Sequence, residues 1–439
     1  MALRAARGWL GRDGRPRRAA APRSGRARLD LLRHGPGNVA DDARRGGSRD
    51  RELARGPGRS GARPSCPRDP RGSVLRRPGG LRLSRRPPAP ADRASGSASG
   101  GAGHPSRALV IDDPIRWGIL GTAGIAESAF LPALRQAGDG VAVSVASRDD
   151  ARARRWATEH DVARGVAGYE QIVTDPEIEA IYIPLPNGLH AEWTITALEA
   201  GKAVLCEKPL CVTPDETRRV LATADAASVP LWEAFVFPFH QQTERVRDAL
   251  ASGQVGEVRE IGSRFHFVLD DPRDIRLSAD LGGGSLYDVG CYPIRLARLL
   301  FDAEPDLDRA IADAVWTRSG VDTELWGALT FPGDRRLVFS CGFLAADDTF
   351  TRVFGTEGEL RMTNPFHPAD DDTFAIVHGD DVREHAAAPT GEHSFTPAIR
   401  HIHAVLRGRE RPRHLAVDEA MGNATAVGAL LAAAGRPPS

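Results

Sequence analysis

Lysine is almost absent from this chain. Lys202 and Lys208 are the two lysines among 58 basic residues, and all the others are arginines. Aromatic residues are also few, at 6% of the sequence. Arms that bind nucleic acids usually combine lysine with arginine and carry aromatic side chains on which bases stack. The composition therefore argues against a nucleic-acid partner.

Cysteines are few and scattered, and no two of them form a C-x-x-C pair. An odd number without such a pair argues against a disulfide framework and against a structural zinc site. No apolar run reaches the length that a membrane-spanning helix needs. We therefore expect a cytoplasmic protein with no membrane partner and no bound metal. The five cysteines are Cys66, Cys206, Cys211, Cys291 and Cys341.

The first 110 residues have a composition of their own. They hold 26 arginines, no lysine and eight acidic residues, whereas the remainder holds 32 basic and 50 acidic residues. The segment is rich in proline, glycine and alanine and has no sustained hydrophobic period. It cannot bury enough apolar surface to offset the entropy of ordering its backbone. We predict that residues 1–112 are disordered.

Three origins of this segment are open. It could be a basic arm for nucleic acid, a targeting peptide, or an upstream stretch of DNA translated because the start codon was placed too early. A secretory or twin-arginine signal needs an apolar stretch, and none follows the arginine pairs. We favour the start-site artefact or an inert tail, and the fold prediction leaves the segment out.

Residues 113–235 alternate between strand and helix patterns. Such alternation predicts a parallel, doubly wound sheet with right-handed crossovers, which is the Rossmann arrangement. The predicted strands are 115–120, 141–147, 179–186, 202–209 and 229–236, and the predicted helices lie between them, ending at Gly138, His160, Gly201 and Ser228.

Residues 236–439 follow a different pattern, in which strands succeed one another without helices between them. This change predicts a second, α+β domain with an open, mostly antiparallel sheet, as in many two-domain enzymes. Its last helices could pack back on the first domain. The predicted strands are 257–269, 326–332, 336–344, 350–363 and 372–379, and the predicted helices are 285–301, 394–408 and 418–434.

The stretch GTAGIA, 121–126, follows the first predicted strand and opens the first helix. In a dinucleotide-binding turn, Gly121 makes the tight turn and a small residue at 126 lets helix and strand pack closely. Ala123 stands where a second glycine is usual, so an ordinary strand–helix turn is the alternative. The residues expected to contact a dinucleotide here are Gly121, Thr122, Ala123 and Ile125.

The end of the second strand distinguishes the two nicotinamide dinucleotides. NAD enzymes usually place an acid there to bond the ribose 2′-hydroxyl, whereas this chain has Ser147 and Arg148. A guanidinium suits a 2′-phosphate, which an acid would repel. This favours NADP. Asp149 and Asp150 follow closely enough to keep NAD possible.

Lys208 lies in LCEKPLCV, between Glu207 and Pro209. A lysine, unlike an arginine, can lose its proton when it is partly buried or near other charges. The position is at a strand end, where ligands of open α/β sheets bind. We therefore expect Lys208 to donate a hydrogen bond and to modulate proton transfer. The alternative is that it only pairs with Glu207, and Lys202 shows that an unremarkable lysine can persist.

Seven motifs, taken together and in this order, resemble the glucose-fructose oxidoreductase / inositol dehydrogenase / rhizopine-catabolism family of NAD(P)-dependent oxidoreductases. They cover most of residues 113–439. The motifs are GTAGIA, ASRD (146–149), PLPNGLHAEW (184–193), CEKPL (206–210), EAF (233–235), GGGSLYDVGCYPI (282–294) and FGTEGEL (354–360).

The resemblance implies a Rossmann domain followed by an open sheet that often builds oligomers, so a homo-oligomer is expected. It also implies that Lys208 is the lysine at the hydride-transfer site. Tyr292 replaces the histidine of many members, as in the branch of NADP-dependent D-xylose dehydrogenase and the dimeric dihydrodiol dehydrogenases. In that branch the tyrosine is the general acid/base.

The three expected catalytic residues have distinct roles on this interpretation. Tyr292 exchanges a proton with the substrate oxygen, and Lys208 lowers the pKa of Tyr292 and so favours the phenolate. Asp288, four residues before Tyr292, shares its helix face and orients the site. Without the resemblance, a buried tyrosine and a surface acid would be the simpler interpretations.

Further residues are assigned a place by the resemblance. The loop PLPNGLH and the EKP motif lie beside the cofactor, although His190 could instead cap a helix. Arg276 and His240 are weaker candidates for substrate contact. The cofactor-binding set from these two motifs is Leu185, Pro186, Asn187, His190, Glu207, Lys208 and Pro209.

The expected function is an NADP-preferring oxidoreductase that transfers hydride between nicotinamide and the hydroxyl or carbonyl carbon of a sugar, polyol or diol. The alternative is a dinucleotide-binding sensor or regulator of the same fold without catalysis. The retention of both Lys208 and Tyr292 favours the enzyme, because a sensor would not need the pair.

Overall fold

The computed structural model describes residues 113–369, 371–387 and 391–436. The segment predicted to be disordered, 1–112, lies outside the described residues, as does Cys66. Among the residues that are described, no helix combines the length and apolarity needed to cross a membrane.

A six-stranded parallel sheet forms the first part of the described chain, in the order β3-β2-β1-β4-β5-β6. Successive strands run outward from β1 in both directions, so a crevice opens at the carboxyl ends of β1 and β4. The predicted Rossmann arrangement is confirmed. The strands are β1 (Ile115–Leu120), β2 (Gly140–Ser147), β3 (Arg164–Ala167), β4 (Ala180–Ile183), β5 (Ala203–Cys206) and β6 (Leu231–Glu233).

Helices cover both faces of this sheet. A π-helical turn over Ala126–Phe130 leads into the first helix, which ends as predicted at Gly138, where φ is +83°. A reciprocal capping box between Thr213 and Glu216 starts the fifth helix. The helices are α1 (Leu131–Ala137), α2 (Asp150–Glu159), α3 (Glu170–Val173), α4 (His190–Glu199) and α5 (Pro214–Ala227).

An eight-stranded sheet forms the second part, in the order β14-β13-β12-β11-β7-β10-β9-β8. Only β7 and β10 pair in parallel, so the predicted mostly antiparallel sheet is confirmed. The strands are β7 (Val258–His266), β8 (Asp306–Trp316), β9 (Asp322–Phe331), β10 (Arg335–Gly342), β11 (Asp348–Gly355), β12 (Glu359–Met362), β13 (Thr373–His378) and β14 (Asp381–Ala386).

Four helices complete this part: α6 (Gln241–Ala251), α7 (Cys291–Phe301), α8 (Thr396–Leu406) and α9 (Ala416–Ala433). The sequence prediction omitted α6, β8 and β14, and it took 350–363 as one strand. In the structure a turn at 356–358 separates β11 from β12. β8 was missed because its inward side carries mainly alanines while Ile311 and Val315 face outward, which gives little hydrophobic contrast between its two faces.

Helix α8, which precedes α9, packs against the first sheet. Phe395, Ile399 and Ile402 join the apolar core that contains β1. The indole Nε1 of Trp117 donates to His403 Nε2 at 2.9 Å, so the neutral imidazole carries its hydrogen on Nδ1 and donates it to the carboxylate of Asp139. This late stretch of the chain therefore helps to build the core beside the first sheet.

Candidate functional site

Lys208 lies two residues beyond the end of β5, and its peptide bond to Pro209 is cis. Its ammonium Nζ donates to the backbone oxygen of Asp288 at 2.7 Å and lies 3.1 Å from Oδ1 of the same residue. The two motifs that carry the expected catalytic residues therefore meet, although 80 residues separate them in sequence.

Asp288 lies between two cations. Arg276 Nε donates to its Oδ2 at 2.7 Å, and Lys208 approaches Oδ1. Burial alone would raise the pKa of Asp288, but the charges of Lys208 and Arg276 outweigh burial and lower the pKa to about 2. The carboxylate is therefore ionised at neutral pH, and Arg276, expected as a weak substrate contact, belongs to the same charge cluster.

Lys208 is an ammonium in this site. Burial acts to lower its pKa, but the carboxylates of Asp288 and, to a smaller extent, Glu207 outweigh burial and hold the pKa above the usual value. The expected hydrogen-bond donation is present, since Nζ donates to Asp288. Lys208 is a fixed cation with three hydrogens to donate.

Tyr292 follows at the start of α7, inside an aromatic cage. Its ring lies 5.2 Å from Phe235, 5.1 Å from Phe366 and 5.5 Å from Phe265, centre to centre, and the side chain is 4% exposed. The Lys208 ammonium lies 5.2 Å from the centre of the same ring. Asp288 and Tyr292 thus both contact Lys208, as their shared helix face predicted.

Burial raises the pKa of Tyr292, and the Lys208 charge offsets only part of that rise. The predicted phenolate is wrong for this structure, because the apolar cage disfavours a buried negative charge more than one ammonium favours it. Tyr292 is therefore a protonated phenol, which suits a proton donor.

His367 was missed by the sequence analysis. Its Nε2 lies 3.2 Å from the hydroxyl oxygen of Tyr292. It follows β12 in the stretch NPFHP, where no hydrophobic period or charge pattern distinguishes it. The only available signal was a histidine between a phenylalanine and a proline.

The turn after β1 has the geometry expected of a dinucleotide cradle. Gly121 has φ of +101°, a conformation that favours glycine, and Gly124 is exposed with open space where a side chain would begin. Thr122 Oγ1 accepts a hydrogen bond from Arg152 Nε at 2.7 Å. Ala123 accepts from the backbone of Ala126 to close the turn, and Ile125 packs on the core below. Backbone can thus approach a phosphate here.

One arginine of α2 contacts this turn, and a second arginine follows the end of β2. Ser147 is buried and Arg148 is exposed. Arg152, which the sequence analysis missed, lies one turn further along α2 against Thr122. Asp149 caps α2 by accepting from the backbone of Arg152, and Asp150 pairs with Arg154. The two acids are therefore engaged within their own helix.

His190 lies beneath this crevice instead of facing it. The ring is fully buried, and its two nitrogens each lie 2.8 Å from a backbone oxygen, that of Pro209 and that of Leu185. Burial lowers the pKa of His190. It ties the loop after β4 to the loop that holds Lys208, which makes it a positioning residue.

The remaining predicted residues brace the same two loops. Asn187 Nδ2 donates to the backbone of Gly282 at 2.9 Å, and Pro186 accepts from Leu189. Glu207 is buried and accepts from the Tyr182 hydroxyl at 2.6 Å. These loops lie at the carboxyl edge of β4 and β5, so the residues present fit a bound dinucleotide.

His240 has a different place from the one predicted. It is buried, and its ring accepts from the backbone of Gln242 at 3.1 Å, which caps α6. In this structure its described role is that helix cap. Over the described ranges, no three His, Cys, Asp or Glu side chains gather in a way that could hold a metal ion.

Comparison with known proteins agrees with this site. Residues 115–235 match the model of an oxidoreductase family with an NAD-binding Rossmann fold, and residues 243–361 match the GFO/IDH/MocA C-terminal domain. An NADP-dependent D-xylose 1-dehydrogenase of Haloferax volcanii is 41% identical over 57% of this chain and 76% of its own length. A trans-1,2-dihydrobenzene-1,2-diol dehydrogenase of Xenopus laevis is 32% identical over 56% and 74%, respectively.

A solved structure extends the likeness to most of the fold. A 3-ketoreductase from Actinomadura kijaniata, in complex with NADP and TDP-benzene, superposes with a TM-score of 0.68 and 31% identity. The match covers 73% of this chain and 98% of that protein. With two domains, their sheets and the order of their motifs all shared, this chain belongs to the GFO/IDH/MocA family of NAD(P)-dependent oxidoreductases.

Proposed function

We propose that the protein is an NADP-preferring oxidoreductase that transfers hydride between nicotinamide and the hydroxyl or carbonyl carbon of a sugar, polyol or diol. The observation that carries the proposal is the meeting of Lys208, Asp288 and Tyr292 at the carboxyl edge of the parallel sheet. The D-xylose dehydrogenase and the ketoreductase support a sugar-type substrate.

The side chains divide the proton chemistry between them. When bound, the cofactor supplies or accepts the hydride. Tyr292, held as a neutral phenol, donates its proton to the substrate oxygen in the reducing direction and takes it back in the oxidising one. Lys208 spends two hydrogens on Asp288 and has a third for the substrate oxygen, where it stabilises developing negative charge. Asp288 and Arg276 hold that ammonium in position.

The preference for NADP rests on the end of β2. Arg148 is exposed beside the glycine turn, and Arg152 contacts Thr122 within it. Two guanidinium groups suit a 2′-phosphate, which accepts charge-assisted hydrogen bonds. Asp149 and Asp150, which would serve NAD, are bonded within α2.

Replacing Arg148 by alanine is expected to weaken NADPH binding by roughly 10- to 100-fold, since a hydrogen bond to a charged group contributes about 1.5–3 kcal/mol. NADH binding should change little, because NADH lacks the 2′-phosphate. Titration of nicotinamide fluorescence would measure both. Arg154→Ala is the matched control, because Arg154 lies on the same helix but pairs with Asp150. An equal loss for both cofactors would contradict the assignment.

The substrate is tested by turnover of the full chain. Absorbance of NADPH would be followed with D-xylose, other aldoses, inositols, trans-diols and dicarbonyls as substrates. Turnover with one chemical class supports the oxidoreductase and identifies that class. Tight NADPH binding without turnover on any of them would favour the dinucleotide-binding sensor.

We infer a homo-oligomer that forms through the outer face of the eight-stranded sheet. Four apolar side chains of β8, β9 and β10 are exposed there in adjacent rows, since Ile311 and Val338 both pair with Ala328 in register. Acidic and basic residues surround these four side chains on the same face. Two copies related by a twofold axis can therefore pack apolar patch against apolar patch and pair acidic with basic residues around it. The four are Ile311, Val315, Trp326 and Val338.

Trp326→Lys is expected to dissociate the oligomer, because a charge at the centre of an apolar interface cannot be solvated. Light scattering coupled to size-exclusion chromatography should give the Trp326→Lys variant one half or one quarter of the wild-type mass. Val382→Lys on β14 is the control, because Val382 is 51% exposed and Trp326 is 52% exposed. A monomeric wild type would refute the inference.

A further inference from the structure

The Tyr292 hydroxyl has one polar partner within the described residues, and that partner is His367. The Nε2–Oη distance is 3.2 Å. Phe235, Phe265 and Phe366 surround the rest of the phenol ring. Lys208 contacts the ring and directs its hydrogens to Asp288. A proton that leaves or reaches Tyr292 from the protein side therefore passes through the imidazole of His367.

The loop that carries His367 is held in place by one asparagine. Asn364 Oδ1 accepts from the backbone N–H of His367 at 3.1 Å, and Asn364 Nδ2 donates to the backbone oxygen of His367 at 2.7 Å. Asn364 is held in turn by two hydrogen bonds: its Nδ2 donates to Asp372 Oδ2, and its backbone oxygen accepts from Gln242 Nε2. The backbone of His367 is therefore held by hydrogen bonds that leave both of its ring nitrogens free for other partners.

Three charged or titratable groups other than Tyr292 act on His367. They are Lys208, Asp288 and His393. Burial, followed by the Lys208 charge, lowers the pKa of His367 to about 4. His393 is itself bonded to the Ser128 backbone and accepts from Phe395. At neutral pH the His367 ring is uncharged, so one of its nitrogens accepts a hydrogen while the other donates one.

We propose that His367 carries protons between Tyr292 and solvent in the oxidoreduction. The inference rests on the proposed function. In reduction the substrate oxygen takes the Tyr292 proton as the carbon receives hydride. The phenol oxygen then takes the hydrogen of His367 Nε2 as Nδ1 takes a proton from solvent. The imidazole returns to its Nε2–H form by losing the Nδ1 proton to solvent and gaining one on Nε2, so each reduction consumes one solvent proton in total. In oxidation each transfer runs backwards, and one proton leaves to solvent for each hydride removed from carbon.

The alternative role for His367 is to position Tyr292 by a hydrogen bond alone. His367→Gln separates the two, because an amide can bond the phenol but cannot carry a proton at neutral pH. His367→Phe removes both functions. The relay therefore predicts that glutamine and phenylalanine are similarly harmful, whereas simple positioning predicts that glutamine rescues.

The kinetic test uses the full chain with NADP and D-xylose as the probe, or whichever substrate of the panel turns over. We expect His367→Gln to lower kcat by roughly 10- to 100-fold, to raise the solvent deuterium isotope effect, and to recover partly with added imidazole. In a Tyr292→Phe background the same change should have no further effect. Wild-type kcat and isotope effect in His367→Gln would overturn the relay.

A second measurement does not depend on turnover. Nitrogen NMR of histidine-labelled full chain should show His367 uncharged at pH 6, with a signal that moves in Tyr292→Phe. His385→Gln, on exposed β14, is the control and should leave that signal in place. If the wild type turns over a substrate but the His367 signal does not move in Tyr292→Phe, the relay is overturned and the proposed function stands. If the His367 signal moves in Tyr292→Phe but no substrate turns over, the proposed function is overturned and the relay with it.

Discussion

Tyr292→Phe and Lys208→Ala are each expected to lower kcat by about 10²–10⁴-fold, the range that general acid–base catalysis supplies. The phenylalanine keeps the aromatic packing and removes only the proton that the substrate oxygen needs. The alanine removes the ammonium that stabilises that oxygen, and leaves Asp288 paired with Arg276. Steady-state kinetics would measure kcat, and nicotinamide fluorescence would confirm that NADPH still binds.

Two lysine variants make this result specific. Lys202→Ala is the matched control, because Lys202 donates to the backbone oxygens of Asp175 and Ile178, away from the site. It should retain wild-type kcat. Lys208→Arg should not restore activity, because a planar guanidinium cannot place its hydrogens as the ammonium does. Full activity in Lys208→Ala or in Tyr292→Phe would remove the basis for the proposed chemistry.

Asp322→Ala is expected to destabilise the fold by roughly 2–5 kcal/mol, because two buried donors lose their acceptor. Asp322 Oδ2 accepts from the Ser285 hydroxyl and from the Leu286 backbone, both at 2.7 Å, and so caps the helix that carries Asp288 and Tyr292. The side chain is 1% exposed, so water cannot replace it. Urea denaturation at pH 7 would measure the loss, and an unchanged midpoint would contradict the capping role.

Asp322→Asn tests the charge separately from the hydrogen bonds. Burial raises the pKa of Asp322 from 3.8 to about 6. Between these values the folded state holds a proton that the unfolded chain has released, so the stabilisation from this carboxyl falls as pH rises through that window. Asparagine does not ionise and lacks this decrease. The stability of Asp322→Asn relative to wild type should therefore improve between pH 4 and pH 7, and a constant difference would argue against the raised pKa.

The sequence pointed to Lys208, Asp288 and Tyr292 through motifs, because each motif is local and their common order is specific. The structure then placed Arg276 with them. The protonation states were not predictable in this way. They depend on how many aromatic rings surround Tyr292 and on which carboxylate reaches Lys208, and both follow from long-range packing.

His367 and Asp322 illustrate what local patterns omit. His367 meets Tyr292 across 75 residues, and Asp322 caps a helix 36 residues earlier. Neither stands in a motif, and a single histidine or aspartate has no period to detect. The two sheets were predictable because strand patterns repeat, whereas β8 escaped because small alanines face inward and Ile311 and Val315 face outward, which produces a weak hydrophobic contrast.

The packing of α8 on the first sheet has a consequence for biosynthesis. His403, which accepts a hydrogen bond from the indole of Trp117, is synthesised 286 residues after that tryptophan. While the chain leaves the ribosome, the nucleotide-binding half has its strands but lacks Phe395, Ile399 and Ile402 from its core. The core of the half that is translated first is therefore completed only after these three residues near the end of the second half have been made.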